Sequence, residues 1–188
     1  WYGDDVRLPN EIIGRIVRSP HHYAKVVSID TSKAEALPGV IAVATGEDAP
    51  NKFGVLPVTK DEHAMAVEKV RHVGDLVACV AAVDEATARE AASLIEVEYE
   101  VLDSIHDMKK GLEDVDEPIH WRGKYHVGTT NVQKRVFQEF GDRSMVENPN
   151  AMYHGKWKYM GVNHGFTEPH AVVAHWDSNG RLQLYTPQ

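Results

Sequence analysis

The stretch of residues 76–102 constrains the fold more than any other part of this chain. It opens with "LVACVAAV" (76–83), an uninterrupted apolar run typical of a fully buried strand. "DEATAREAASLI" (84–95) follows, with Asp84 as a favourable N-cap and small apolar residues at helical spacing. "EVEYEVL" (96–102) then alternates charged and apolar residues, which is typical of a half-exposed strand. A strand, a helix and a strand joined this tightly predict a compact α+β unit.

The preceding residues add strands to the same unit. Two β-branched segments, 11–19 and 24–30, are separated by the turn "SPHH", and the apolar run 40–45 predicts a third strand. Between the second and third strands, Ser32 and Glu35 have the spacing of a capping box, which predicts the start of a short helix. A proline–glycine pair ends that helix after about one and a half turns.

The periodic signal weakens after residue 104. We expect one domain over residues 1–104, a connector over 105–131, and a β-rich segment over 132–188. Within the last segment, "VQKRVFQEFGD" (132–142) and "AMYHGKWKYM" (151–160) are expected to be strands. "HAVVAHW" and "RLQLY" flank the turn "DSNG", so they predict a hairpin. Isolated hairpins are rarely stable, which suggests that this segment is incomplete.

Composition excludes several functional classes. The net charge of −8 and the lack of a Lys/Arg run argue against a nucleic-acid partner. Cys79 is the single cysteine, so the chain cannot build an internal disulfide framework or a cysteine-ligated iron–sulfur cluster. Cys79 itself is predicted to be a small buried hydrophobic residue. No apolar stretch reaches the roughly 18 residues of a membrane span, so the cytoplasm is the default location.

One polar cluster invites a metal hypothesis. "NHGFTEPHAVVAHW" carries His164, Glu168, His170 and His175, which could ligate zinc. On a strand, however, His170 and His175 point to opposite faces, and a glycine and a proline interrupt regular pairing. We therefore expect polar residues on a hairpin and no metal site, with a small zinc protein as the less favoured alternative. No Walker, GxGxxG, HExxH or GxSxG motif is present, so these patterns identify no catalytic residue.

Two long blocks resemble a known family. "RIVRSPHHYAKVVSIDTSKAEALPGVIAVATGEDAP" and "KVRHVGDLVACVAAVDEATAREAASLIEVEYEVL" are similar to the molybdenum-binding subunit of the xanthine dehydrogenase/aldehyde oxidase family. The resemblance implies that this region forms the family's α/β hammerhead domain. "NVQKRVFQEFGD" and "VNHGFTEPHAVVAHWDSNGRLQLYTPQ" resemble the first strand and the following hairpin of the family's molybdenum-cofactor domain.

This resemblance implies a molybdenum hydroxylase-type oxidoreductase that acts on an aromatic, heterocyclic or aldehyde substrate. The implied cofactor is molybdopterin, in the cytosine dinucleotide form of bacterial members, and the implied electron acceptors are iron–sulfur and FAD subunits. The family's glycine-rich segment and catalytic glutamate would follow Gln188. We therefore expect a fragment or one polypeptide of a divided enzyme, which binds no cofactor alone and needs the remainder of the molybdenum-cofactor domain. The alternative is a non-catalytic hammerhead binding or assembly module.

The resemblance also singles out two positions near the cofactor, Val162 and Asn163. In animal xanthine dehydrogenases, a glutamine beside the molybdenum oxo group occupies the position of Val162. A valine side chain cannot donate that hydrogen bond, which argues against purine hydroxylation of the xanthine type. The tail is more similar to bacterial members such as 4-hydroxybenzoyl-CoA reductase, which run a reductive dehydroxylation. Hydroxylation and dehydroxylation therefore both stay open.

Overall fold

The computed structural model describes residues 2–54, 60–121, 126–142, 144 and 153–187. These residues belong to two compact units. Residues Ile12–Phe137 form the first, which we call the two-sheet unit. Residues Trp1–Glu11 and Gln138–Gln188 form the second, which we call the hairpin unit.

In its described residues, the two-sheet unit contains six strands and two α-helices. In chain order they are β1 (Ile13–Arg18), β2 (Ala24–Asp30), α1 (Ser32–Glu35), β3 (Val40–Thr45), β4 (Lys69–Val70), β5 (Leu76–Ala82), α2 (Glu85–Leu94) and β6 (Glu96–Val101). One antiparallel sheet has the order β1-β5-β3, and the other has the order β4-β2-β6. Short 3₁₀ helices lie at Gly46–Asp48 and Lys110–Leu112. The α+β architecture predicted for this region is confirmed.

The apolar run at residues 76–82 becomes the central strand of its sheet because it is buried on both faces. β1 and β3 pair with opposite edges of β5, and Val77 and Val80 are almost completely inaccessible to solvent. α2 packs on β1 and β5 with the small residues Ala88 and Ala91 inward. Burial of such side chains stabilises the fold by about 25 cal/mol per Å² of apolar surface.

The two sheets share one apolar core. One buried cluster joins Ala78 and Val80 of β5 to Ala91 of α2, and a second joins Val77 to Ala24 and other residues of the β2 sheet. Val17 and Val97 border both clusters. The core is therefore continuous from α2 through β5 to the second sheet.

The N-cap of α2 is the aspartate expected from the sequence. The carboxylate of Asp84 accepts a hydrogen bond from the Thr87 backbone N–H at 2.8 Å, which satisfies one of the free donors of the first turn.

Replacing Asp84 with alanine is expected to lower the free energy of unfolding by about 1 kcal/mol. Urea denaturation followed by far-UV circular dichroism measures the change. Asp103→Ala, at an exposed aspartate outside any helix, is the control, and an equal loss in both variants would contradict the capping role.

The capping box predicted for the first helix is wrong. Ser32 is the first helical residue rather than the cap, and its N–H donates to the Asp30 carboxylate at 2.9 Å. The Glu35 carboxylate instead accepts a hydrogen bond from the Thr31 hydroxyl at 2.6 Å. The Ser32 N–H is bonded to the nearby Asp30 carboxylate, and the N-cap is Thr31, one residue before the predicted cap. Gly39 then reverses the chain into β3 with a φ of 95°.

The hairpin unit contains β7 (Val173–Trp176) and β8 (Leu182–Tyr185), which pair antiparallel as predicted. Asp177 organises the turn, because its carboxylate accepts hydrogen bonds from the N–H groups of Asn179 at 2.8 Å and Arg181 at 2.9 Å. Gly180 has a φ of 73°, which its lack of a side chain permits.

Two other strand predictions for this region are wrong. Residues 132–142 and the described part of 151–160 carry no strand, and neither forms a β-ladder with another described segment. Their apolar side chains are exposed instead, with Phe137 at 85% and Phe140 at 87% of full accessibility. An apolar pattern indicates a strand only where a neighbouring strand takes up the backbone hydrogen bonds.

Candidate functional site

The two positions expected near a cofactor lie together on an exposed segment of the hairpin unit. Val162 is 89% exposed, and the Asn163 side chain is also exposed. The Asn163 carbonyl oxygen Oδ1 accepts a hydrogen bond from the Gly165 N–H at 3.3 Å. The two side chains, which are adjacent in the sequence, are both exposed to solvent.

The four potential zinc ligands are not gathered into one site. The His164 ring stacks on Phe166 with centroids 5.3 Å apart, and Phe166 meets the His170 ring edge-on at 6.1 Å. Glu168 accepts a hydrogen bond from the Gly3 N–H at 2.9 Å. His175 lies in β7. Among the described residues, which include all four, no group of three His, Cys, Asp or Glu side chains could hold a metal ion.

The segment around Val162 is open to solvent, with Val162 at 89% of full accessibility. The Val162 side chain offers no hydrogen-bond donor, and Asn163 offers one side-chain amide on an open surface. A pterin cofactor with phosphate groups needs several convergent donors in a concave site. These residues therefore do not fit a complete molybdopterin site, and they supply at most one wall of such a site.

Among the described residues of the two-sheet unit, a polar constellation centres on Asp61, which the sequence did not single out. Asp61 is only 5% exposed. Its carboxylate accepts a hydrogen bond from the Trp121 backbone N–H at 2.7 Å and lies 3.2 Å from Nδ1 of His120. The Arg71 guanidinium is 3.6 Å from the same carboxylate and donates to the Ile119 carbonyl at 2.8 Å.

Two opposing effects act on this carboxylate. Burial by itself raises the pKa of Asp61, but the Trp121 N–H, His120 and Arg71 together hold it below the ordinary value of 3.8. The group is therefore ionised at neutral pH. A buried negative charge with three partners on two chain segments ties residues 119–121 to residues 61 and 71.

An open cleft of about 630 Å³ surrounds this constellation. Its lining is charged with both signs, since Lys52, Lys60, Glu68 and Asp116 accompany Asp61 and Arg71. Lys69 also lines it and forms an ion pair with Glu117. A lining with both signs of charge does not select an anion or a cation. Its side chains instead hold the 116–121 segment against the rest of the unit, as Lys69 does with Glu117 and Arg71 does with Ile119.

Cys79 does not have the surroundings of a nucleophile. It lies in β5, and burial raises the pKa of its thiol, with a smaller opposing contribution from a hydrogen bond to the Ala44 backbone. A reactive cysteine needs a lowered pKa, so Cys79 is not a nucleophile of this kind, although it is only partly buried and not fully buried as predicted.

Among the residues that the structure describes, no helix is both long enough and apolar enough to cross a lipid bilayer.

Comparison with a family profile identifies the two-sheet region. The profile of the "aldehyde oxidase and xanthine dehydrogenase, a/b hammerhead domain" matches residues 1–103. The match covers more than half of the chain, including all six strands of the two sheets.

Curated relatives match almost the whole chain. The nicotinate dehydrogenase large molybdopterin subunit of Eubacterium barkeri is 33% identical over 97% of this chain and 42% of its own length. A probable xanthine dehydrogenase subunit of Bacillus subtilis is 31% identical over 98% of this chain and 24% of its own length. The chain therefore spans less than half of the length of either relative.

Solved structures agree with these matches. The aldehyde oxidoreductase from Desulfovibrio gigas superposes with a TM-score of 0.77 at 26% identity, over 98% of this chain and 21% of that one. The CO dehydrogenase from Oligotropha carboxidovorans is 42% identical with a TM-score of 0.56, over 60% of this chain and 14% of its own.

Proposed function

The chain belongs to the aldehyde oxidase and xanthine dehydrogenase family, and from this we propose that it is part of a molybdenum hydroxylase-type oxidoreductase. The proposed enzyme oxidises an aromatic, heterocyclic or aldehyde substrate and passes the electrons to iron–sulfur and FAD partners. The observation that carries the proposal is the 33% identity, over 97% of this chain, to a subunit named for molybdopterin. Oxidation is favoured over reductive dehydroxylation because the relatives are named as dehydrogenases.

In this proposal the two sheets, from β1 to β6, belong to the hammerhead domain and serve as a rigid support. The domain division into residues 1–104, 105–131 and 132–188 is part of the same proposal, as are the cytoplasmic location and the cytosine dinucleotide form of the cofactor. The hammerhead residues are not expected to react with the substrate, since their polar constellation around Asp61 is occupied by its own partners.

The hairpin unit is proposed to pack against the remainder of the molybdenum-cofactor domain. Apolar side chains on both strands are open to solvent, with Trp176 at 66% and Leu184 at 57% of full accessibility. Such a contiguous apolar surface is typical of an interface rather than of a free surface. Further chain of the kind that the longer relatives contain would cover it.

Metal analysis of the purified protein, together with any subunits that co-purify, tests this function. We expect stoichiometric molybdenum, iron from the partner subunits, and dehydrogenase activity on nicotinate or an aromatic aldehyde. A stable metal-free monomer without activity would instead support the non-catalytic hammerhead module.

The proposal that Val162 lines one wall of the cofactor site can be tested by a substitution. Val162→Trp is expected to lower kcat/KM by about tenfold with the molybdenum content unchanged, because a bulky side chain at the wall displaces the substrate from its reactive position. Val172→Trp, at an exposed valine of the same unit, is the matched control. Equal activities for the two variants would show that Val162 does not line the substrate site.

A further inference from the structure

One face of the β1-β5-β3 sheet carries small or apolar side chains and is left open by the described residues. Two neighbouring cross-strand rows form this face, which we call the open face: Ala42, Ala81 and Gly14 in one row, and Ala44, Cys79 and Ile16 in the next. Ala42 is exposed, and Ile16 is at 46% of full accessibility. A Cβ added at Gly14 would meet no atom of a residue outside 13–15 within 4 Å.

The opposite face of the same sheet shows how this fold covers such a surface. There the alternate residues of β5, Ala78 and Val80, pack against Ala91 of α2 in one buried cluster. α2 has ten residues, which makes it about 15 Å long. A short helix with small inward side chains therefore packs on one face of the sheet, and the open face is its uncovered counterpart.

The open face lacks the polar side chains that keep an exposed sheet face in contact with water. The β4-β2-β6 sheet shows the contrast. On its exposed side, Lys25 donates to the Glu100 carboxylate of the opposite strand at 3.0 Å, and the Ser28 hydroxyl donates to Glu98 at 3.2 Å. Antiparallel sheets commonly have one such polar, solvated face. The open face instead has the composition of a surface that is buried.

The size of the open face limits what can cover it. Val77, the next residue on this side of β5, is already buried in the core shared with the second sheet. Two rows about 6.8 Å apart, on three strands about 4.8 Å apart, give an area of roughly 200 Å². A stable complex of separate proteins buries about 800 Å² on each partner, so two copies of the chain would not stay joined through this face. A segment of the same polypeptide needs less area, because its covalent tether keeps it close.

We propose that an amphipathic α-helix of about ten residues, from a further part of the same subunit, packs its apolar stripe on the open face. The inference rests on the proposed function, because the further chain is of the kind found in relatives of which this chain spans 42% and 24%. The small side chains of Ala42 and Ala81 allow the helix to approach closely. The β1-β5-β3 sheet then carries a helix on each side.

Cysteine labelling of the purified enzyme, with all chains that accompany it, tests this inference. Ala42→Cys places a thiol on the open face, and Ser28→Cys places one on the polar face of β2. Ser28→Cys is the matched control because both positions are exposed strand residues. With N-ethylmaleimide as the probe, we expect Ala42→Cys to react at least about tenfold more slowly than Ser28→Cys, since it reacts only when the helix opens. Mass spectrometry of the two labelled peptides measures the rates, which should become equal in urea.

Photocrosslinking identifies where the helix comes from. p-Benzoylphenylalanine in place of Ile16, at the edge of the open face, is irradiated in the purified enzyme, and the attached peptide is sequenced by mass spectrometry. We expect a peptide of the same polypeptide from outside residues 1–188. No attached peptide, a peptide of another subunit, or one from within residues 1–188 would each overturn the assignment.

The labelling result is separable from the test of the proposed function. Ala42→Cys that reacts as fast as Ser28→Cys, in an enzyme that contains molybdenum and is active, would overturn the helix and leave the oxidoreductase function standing. A stable metal-free monomer without activity would overturn the proposed function, and the inferred helix with it, whatever the labelling rate.

Discussion

Replacing Asp61 with alanine is expected to lower the free energy of unfolding of the two-sheet unit by about 3 kcal/mol. The substitution leaves the Trp121 N–H without its acceptor and removes the carboxylate beside Arg71 and His120. Loss of this carboxylate costs more than the network itself contributes, because the half-buried Arg71 and His120 side chains lose the negative charge that compensates them. Urea denaturation followed by tryptophan fluorescence measures the change.

Asp116→Ala is the matched control, since Asp116 lines the same cleft but is exposed. It is expected to change the free energy of unfolding by less than about 0.5 kcal/mol. Similar losses in the two variants would show that residues 119–121 are not held by the buried carboxylate.

The pH dependence of stability gives the same network a second readout. Burial raises the pKa of Asp61, but hydrogen bonding and the neighbouring positive charges together lower it by more than burial raises it. The folded-state pKa of Asp61 therefore lies below 3.8. A lowered folded-state pKa contributes stability that is present above the unfolded value and is lost as the pH falls through the folded value. Asp61→Asn is therefore expected to lose less stability than the unsubstituted protein when the pH is lowered below about 4.

Gly46→Ala is expected to cost about 2 to 3 kcal/mol of the free energy of unfolding. Gly46 follows β3, and the backbone of residues 65 and 66 passes directly over it. A Cβ at Gly46 would lie 2.6 Å from the Met65 carbonyl oxygen and 2.7 Å from that of Ala66. Backbone atoms cannot move aside as the end of a flexible side chain can, so the two segments must separate.

Gly14→Ala provides the control for this effect. Gly14 lies in β1, and a Cβ there would have no atom of a residue outside 13–15 within 4 Å. Alanine in a strand loses less backbone entropy on folding than glycine, so this variant is expected to be neutral or slightly stabilised. Thermal denaturation compares the two variants, and a neutral Gly46→Ala would contradict the close approach seen in the structure.

Periodicity predicted the parts of the fold that local sequence controls. The predicted bounds of 24–30 and 40–45 coincide with β2 and β3, and the predicted helix 84–95 is α2 with its N-cap and C-cap residues included. Each of these elements is long enough to show a pattern, and Asp84 supplies a clear start. The two residues of β4 are too few to carry any period, so this strand has no local signal.

The burial of Asp61 had no local signal either. The neighbouring "TKDEHA" is polar, which favours an exposed aspartate. The carboxylate is buried because Trp121, sixty residues later, places its N–H against it. Partners at such separation are set by the tertiary fold, and a single sequence does not reveal them.

The order of strands in the two-sheet unit has a consequence for how the chain folds as it is made. Each described strand pair in this unit joins strands that are not consecutive in the chain, from Ile13 opposite Ala82 to Ala24 opposite Val101. No hairpin can therefore form early and act as a template. β1, β2 and β3 leave the ribosome before β5 and β6 do, and at about 5 to 20 residues per second they wait several seconds unpaired. Non-local pairing of this kind makes folding slow, and the newly made chain keeps its apolar strands exposed until nearly a hundred residues have emerged.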